Sequence, residues 1–213
     1  KKFTYNELSF GNWKDTSVIL QIEPPGNYVA IGIRNSFGLA IDPVTGYLWD
    51  TENGPDQFDE INLISNKFNS GWSKVMGPSK APLKSPPGYD DYVYGDPKFS
   101  WELPVGITSL SFTNSNLFTK YDNWLFVADS NNGNIYKFQL NSNRTGFIFD
   151  SPNLQDLVLN INSKNQSGSI HESMDEILFG TNFGLISDLE FGPDGTLYVI
   201  SLLDGTIYRI SPS

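Results

Sequence analysis

Phe37-Gly38-Leu39-Ala40-Ile41-Asp42-Pro43-Val44-Thr45-Gly46-Tyr47-Leu48-Trp49 decides the fold, because a second stretch repeats it: Ile186-Ser187-Asp188-Leu189-Glu190-Phe191-Gly192-Pro193-Asp194-Gly195-Thr196-Leu197-Tyr198-Val199-Ile200. In each, apolar residues alternate on either side of a Pro-containing turn that closes on Gly. Proline sets φ and glycine tolerates φ > 0, so the turn is tight. The flanking alternation gives two half-buried antiparallel strands. Ser109-Leu110-Ser111-Phe112 with Asn123-Trp124-Leu125-Phe126-Val127-Ala128-Asp129 is a looser copy with a longer turn. Gly133-Asn134-Ile135-Tyr136-Lys137-Phe138 and Gly205-Thr206-Ile207-Tyr208-Arg209-Ile210 match each other and read as third strands.

Units of two to four strands repeating every ~70–80 residues predict large β-propeller blades with long inserted loops. The fold expected is all-β: about three or more blades of four-stranded antiparallel sheet, in one domain over 1–213. Residues 73–100, rich in Pro, Gly, Lys and Tyr, read as an inserted loop. Short helices are expected only at Asn153 to Leu159 and Ser173 to Leu178. Rings usually hold about four to eight blades, so the reading expects further blades before Lys1 and a natural end near Ile210.

Composition excludes several classes. The chain has 213 residues, 15 Phe, 10 Tyr and 5 Trp, enough for a real core. Its net charge is −10 and its pI about 4.4, with no basic footprint for nucleic acid. The acidity favours cations as ligands. There is no cysteine, so disulfides, zinc thiolates and cysteine nucleophiles are excluded. No apolar run approaches the ~20 residues of a membrane span. Two sequons, at Asn143 and Asn165, are compatible with a secreted, extracellular or periplasm-like location.

Gly32-Ile33-Arg34-Asn35-Ser36-Phe37-Gly38-Leu39-Ala40, followed by Leu48-Trp49-Asp50-Thr51-Glu52-Asn53-Gly54-Pro55-Asp56-Gln57-Phe58-Asp59-Glu60-Ile61-Asn62-Leu63-Ile64 and Asn69-Ser70-Gly71-Trp72, resembles the core of the soluble PQQ-dependent glucose/sorbosone (aldose sugar) dehydrogenases. The resemblance covers nearly all the chain from about residue 28 onward. It implies a six-bladed propeller that oxidises sugars at the anomeric carbon, using PQQ held over calcium. It implies cofactor contacts at Arg34, Asn35 and Asn53. It implies carbonyl ligands for the cofactor calcium at Gly54 and Pro55, and a second, structural calcium at Asp59 and Glu60. Taken singly, each has a plainer reading: Arg34 as a blade-surface arginine, Gly54-Pro55 as a turn, Asp59-Glu60 as a solvated edge pair. Calcium suits these groups because it takes six to eight oxygen ligands.

The chain departs from the family at the cofactor. Asn131 aligns with the family's lysine, and Leu185 and Ser187 with its two arginines, so Arg34 alone remains to meet three carboxylates. Each charge-assisted hydrogen bond contributes roughly 1.5–3 kcal/mol. Losing three removes on the order of 5–9 kcal/mol, against about 8 for micromolar binding. Ser70 replaces the tyrosine before Gly-Trp, and Asn53 replaces the usual His or Gln. The single histidine, His171, lies in a polar stretch far from where the family places its general base. No nucleophilic triad or phosphate loop is present. Tyr89-Asp90-Asp91-Tyr92 reads as exposed loop, with saccharide contact as the second reading. Two functions follow: a sugar dehydrogenase domain whose base lies in other blades, or a calcium-binding propeller that binds or scaffolds without PQQ. The partner expected is a sugar or other small polar ligand, with self-association or further blades completing the arc.

Overall fold

The computed structural model describes residues 28–79, 81–160 and 173–212 in full, and the backbone pairing of a few short strands outside them. His171, the Asn165 sequon and Glu172 lie outside the fully described residues.

Three successive sheets carry the repeat seen in the sequence. The first runs outward from Ser36–Ile41 through Leu48–Glu52, Asp59–Ile64 and Phe99–Trp101 to Val158–Leu159. The second runs through Ile107–Phe112, Trp124–Asp129, Ile135–Leu140 and Phe147–Ile148, with Leu178–Gly180 also pairing on Ile135–Leu140. The third holds Ile186–Phe191, Leu197–Ser201 and Thr206–Ile210. Neighbouring strands pair antiparallel within each blade, except that Val158–Leu159 joins the first blade parallel to Phe99–Trp101. The innermost strands of the first and third blades both pack against Ile107–Phe112, which places the three side by side around a common axis.

The same chemistry closes the first and third hairpins. Asp42 accepts the Val44 N–H at 3.0 Å and the Thr45 hydroxyl at 2.7 Å, and Gly46 takes φ 74°. Asp194 accepts the Thr196 N–H at 3.1 Å, and Gly195 takes φ 78°.

Alternation along Trp124–Asp129 builds both cores. Leu125 and Val127 face the first blade, packing with Trp49, Ile61, Phe99, Trp101 and Phe138. Phe126 and Ala128 face the third, packing with Phe118, Ile186, Leu189, Phe191 and Val199. A period of two thus makes the middle blade the filling between two apolar layers.

Three sequence expectations change. Residues 153–159 are not a helix: a single 3-10 turn at Pro152–Leu154 leads to a positive-φ Leu157 and a strand at Val158–Leu159. The first blade captures this segment, because Ser100 and Glu102 donate their N–H groups to the carbonyls of Leu157 and Leu159. Residues 173–178 are a turn entering the strand Leu178–Gly180. Residues 73–100 are not all loop: Val93–Tyr94 and Phe99–Trp101 are strands, and Phe99 and Trp101 are wholly buried. Blade size also varies, from three strands in the third to five in the first.

Candidate functional site

The inner ends of the three blades meet around a cavity of about 380 Å³. Asn35 and Asn53 line it from the first blade, Thr108 and Ser130 from the second, Leu185, Ser187 and Leu202 from the third, with Phe37 at the side. Four positions singled out in the sequence over 150 residues of chain, Asn35, Asn53, Leu185 and Ser187, therefore form one wall. Asn131 sits at its edge: a Cβ on Gly106, which lines the cavity, would lie 2.9 Å from Asn131 Oδ1. Gly106 takes φ 73°, so glycine is needed there on both counts.

Arg34 does not line this cavity. It is partly buried; Nη1 donates to the Asn53 carbonyl at 2.7 Å, and the guanidinium lies 5.3 Å from the Trp72 ring centroid. Asn53 Nδ2 donates to the Ile107 carbonyl at 2.8 Å, tying the first blade to the second, while its Oδ1 is buried without a partner. Among the described lining residues none is charged.

Asp59 and Glu60 are not a solvated edge pair; both are buried. They point to opposite faces and do different things. Asp59 Oδ1 accepts the Gly54 N–H at 3.0 Å, and Oδ2 accepts those of Val105 at 2.8 Å, Gly106 at 2.7 Å and Ile107 at 3.4 Å. Burial raises its pKa, against the pull of those N–H groups. Asp59 thereby clasps the 54–58 turn to the chain entering the second blade.

Glu60 belongs to a quartet. In the antiparallel register Glu52 faces Glu60 and Asp50 faces Asn62, so all four share the face away from the apolar core. All are at most 2% exposed. Ser70 donates to Glu52 Oε2 at 2.6 Å, the Arg34 N–H to Glu52 Oε1 at 2.5 Å, and the Gly77 N–H to Glu60. Asn62 Nδ2 reaches Glu52 and Glu60 at 3.5 and 3.4 Å. Burial pushes Glu60 up to about 8 and Asp50 up to about 7, each reinforced by the neighbouring Glu52 carboxylate, and it raises Glu52 too. Asp50 Oδ1 and Asn62 Oδ1 have no hydrogen-bond partner. Among the described residues no three acidic or histidine side chains converge as a preformed metal shell. Sequence reasoning singled out Glu60 but missed Asp50, Glu52 and Asn62. The signal was there: polar residues two apart on each of two neighbouring strands, Asp50 and Glu52 on one, Glu60 and Asn62 on the other.

The 54–58 turn faces carbonyls inward. A Cβ on Gly54 would lie 2.0 Å from the Gln57 carbonyl oxygen and 2.1 Å from that of Phe58, so only glycine fits. Pro55 is exposed.

Comparison with known proteins agrees with this architecture. The family profile described as glucose/sorbosone dehydrogenase matches residues 24–209. The chain is 26% identical over 185 residues to aldose sugar dehydrogenase YliI of Escherichia coli, covering 85% of this chain and 43% of that protein. Over 47 residues, 22% of this chain and 10% of the relative, it is 49% identical to quinoprotein glucose dehydrogenase B of Acinetobacter calcoaceticus. The crystal structure of soluble aldose sugar dehydrogenase from Escherichia coli in its apo form superposes with a TM-score of 0.57 at 25% identity, covering 85% of this chain and 46% of that one. The chain thus spans about half the length of these full-length relatives. It belongs to the glucose/sorbosone dehydrogenase family.

Proposed function

We propose that the chain is the sugar-recognising half of an oxidoreductase that acts on CH–OH groups of aldoses. The observation carrying this reading is the convergence of Asn35, Asn53, Leu185 and Ser187, from the first and third blades, on one axial cavity in a chain of this family. The relatives' names supply the substrate class. In this reading the protein acts outside the cytoplasm; among the described residues no helix is long and apolar enough to cross a membrane.

Calcium is part of the proposal, and the donor chemistry fits it. Glu60, Glu52 and Asp50 are hard oxygen donors packed side by side, and Asp50 Oδ1 and Asn62 Oδ1 have no other partner. A divalent cation would compensate the charge that burial, and for Glu60 and Asp50 also the neighbouring carboxylate, makes costly there. Gly54 and Pro55 are the proposed carbonyl donors for a second ion. The proposal leaves Asp59 with its four N–H groups.

PQQ as a tricarboxylate does not fit the cavity lining. Asn131, Leu185 and Ser187 offer no charge, and neutral groups do not balance three carboxylates in a partly desolvated cleft. The fully described residues also contain no histidine to act as general base. In this reading the chain binds and orients the sugar, and proton and electron acceptors come from elsewhere in the whole protein.

The test is aldose-dependent reduction of an artificial dye by the protein isolated from its source, with and without added PQQ and calcium. Saturable, sugar-dependent reduction that added PQQ does not raise is the expected result. No sugar-dependent reduction under either condition overturns the oxidoreductase reading.

A further inference from the structure

One motif of the sequence stands apart from the axial cavity: the sequon Asn143-Arg144-Thr145. It lies in the turn that joins Ile135–Leu140 to Phe147–Ile148, an outer strand of the second blade. The turn is closed by local bonds. The Arg144 N–H donates to the Asn141 carbonyl at 2.9 Å, the Asn141 N–H to the Gly146 carbonyl at 2.9 Å, and the Thr145 N–H to Asn141 Oδ1 at 3.0 Å. The three side chains of the sequon then part company. Arg144, at φ 54°, turns inward and pairs with Asp42. Asn143 is exposed, and its amide makes no hydrogen bond among the described residues. Thr145 is half-buried; its hydroxyl accepts a long bond from Asn141 Nδ2 at 3.4 Å and keeps its own proton uncommitted.

We infer that Asn143 is the attachment site of an N-linked oligosaccharide. The acceptor pattern Asn-x-Ser/Thr with x other than Pro is met, and of its three residues only Asn143 stands free in solvent. The donor is an oligosaccharide joined through its C1 to a polyprenyl phosphate or diphosphate. The bond from Asn143 Nδ2 to C1 forms and the bond from C1 to the phosphate oxygen breaks. The lipid phosphate leaves with that electron pair, Nδ2 gives up one proton, and nothing is oxidised or reduced. The folded turn accommodates the product, because the Asn143 amide displaces no partner. The turn also follows the outward-running strands of its blade, whereas the cavity lies at the inner ends, so a glycan here leaves the candidate site open. Further along the same hairpin Ile148 is 46% exposed on an outer strand, a position that invites pairing with other chains. A bulky hydrated chain beside it covers that edge. The inference rests on the reading that the protein acts outside the cytoplasm, because such sequons are modified in secreted proteins.

The experiment is peptide mass spectrometry of the protein isolated from its source, with the compartment it is recovered from recorded. Asn143→Gln, Thr145→Ala and Thr145→Ser, expressed in the same source, are compared with it. The peptide containing Asn143 is expected to carry a glycan, which is lost in Asn143→Gln and Thr145→Ala and retained in Thr145→Ser. Asn143→Gln removes no contact, so its melting temperature is expected to match that of the deglycosylated wild type; this separates loss of the site from loss of the fold. Bare Asn143 on protein recovered outside the cytoplasm overturns the inference alone, as does a glycan that survives Thr145→Ala. Protein confined to the cytoplasm overturns the location reading, and the inference with it.

Discussion

Arg144 and Asp42, 102 residues apart, form a buried two-pronged ion pair: Nε to Oδ2 and Nη2 to Oδ1, each at 2.7 Å. Arg144 comes from the turn that ends the third strand of the second blade, and Asp42 caps the first hairpin. Arg144 also donates to Asn123 Oδ1 and lies over the Phe112 ring. Burial alone would raise the Asp42 pKa; Arg144, the Val44 N–H and the Thr45 hydroxyl hold it below its ordinary value.

Removing one partner leaves the other charge buried and uncompensated. Asp42→Ala is expected to destabilise the fold by about 3–5 kcal/mol in urea unfolding. The double replacement Asp42→Ala with Arg144→Met is expected to cost less than Asp42→Ala alone. A single replacement costing under about 1 kcal/mol would show that the clasp carries little of the blade packing.

Gly38 brings the inner strands of the first two blades together. A Cβ there would lie 2.6 Å from both Leu110 Cδ2 and Thr51 Oγ1, and 3.0 Å from the Ser109 Cα. Gly38→Ala is expected to cost roughly 1–3 kcal/mol through overpacking. An unchanged thermal midpoint would mean that the blades separate freely here.

Asp59 is expected to act through position rather than charge at the cavity. Asp59→Ala frees the N–H groups of Gly54, Val105, Gly106 and Ile107, at about 1–3 kcal/mol for each one left buried and unpaired. The melting temperature should fall, and sugar-dependent dye reduction should fall with it, because Gly106 and Ile107 form the wall. Loss of stability without loss of activity would separate the clasp from the site.

Calcium is expected to raise the melting temperature, by about 2.7 kcal/mol of stability at one hundred times its Kd. Glu60→Gln should abolish most of that shift. Identical melts with calcium and with chelator would remove the cation from the proposal.

The hairpins were legible because their turn chemistry is local: Asp42 with Gly46, and Asp194 with Gly195, sit within one short stretch each. The helices expected at 153–159 and 173–178 failed for a nonlocal reason. Strand edges of the first two blades capture these segments through Ser100, Glu102 and Ile135–Leu140. The Asp42–Arg144 pair was invisible because nothing local marks residues 102 apart as partners. At the site, Asn35, Asn53, Leu185 and Ser187 were named from the sequence, whereas Phe37 read as part of a strand and nothing local marked Leu202. Only blade packing puts them at a cavity.

The central claim is that the axial cavity lacks the cations that PQQ requires. Calorimetric titration of the full chain with PQQ in calcium tests it most directly. The account predicts no saturable isotherm at micromolar PQQ. Saturable PQQ binding in that range would contradict it.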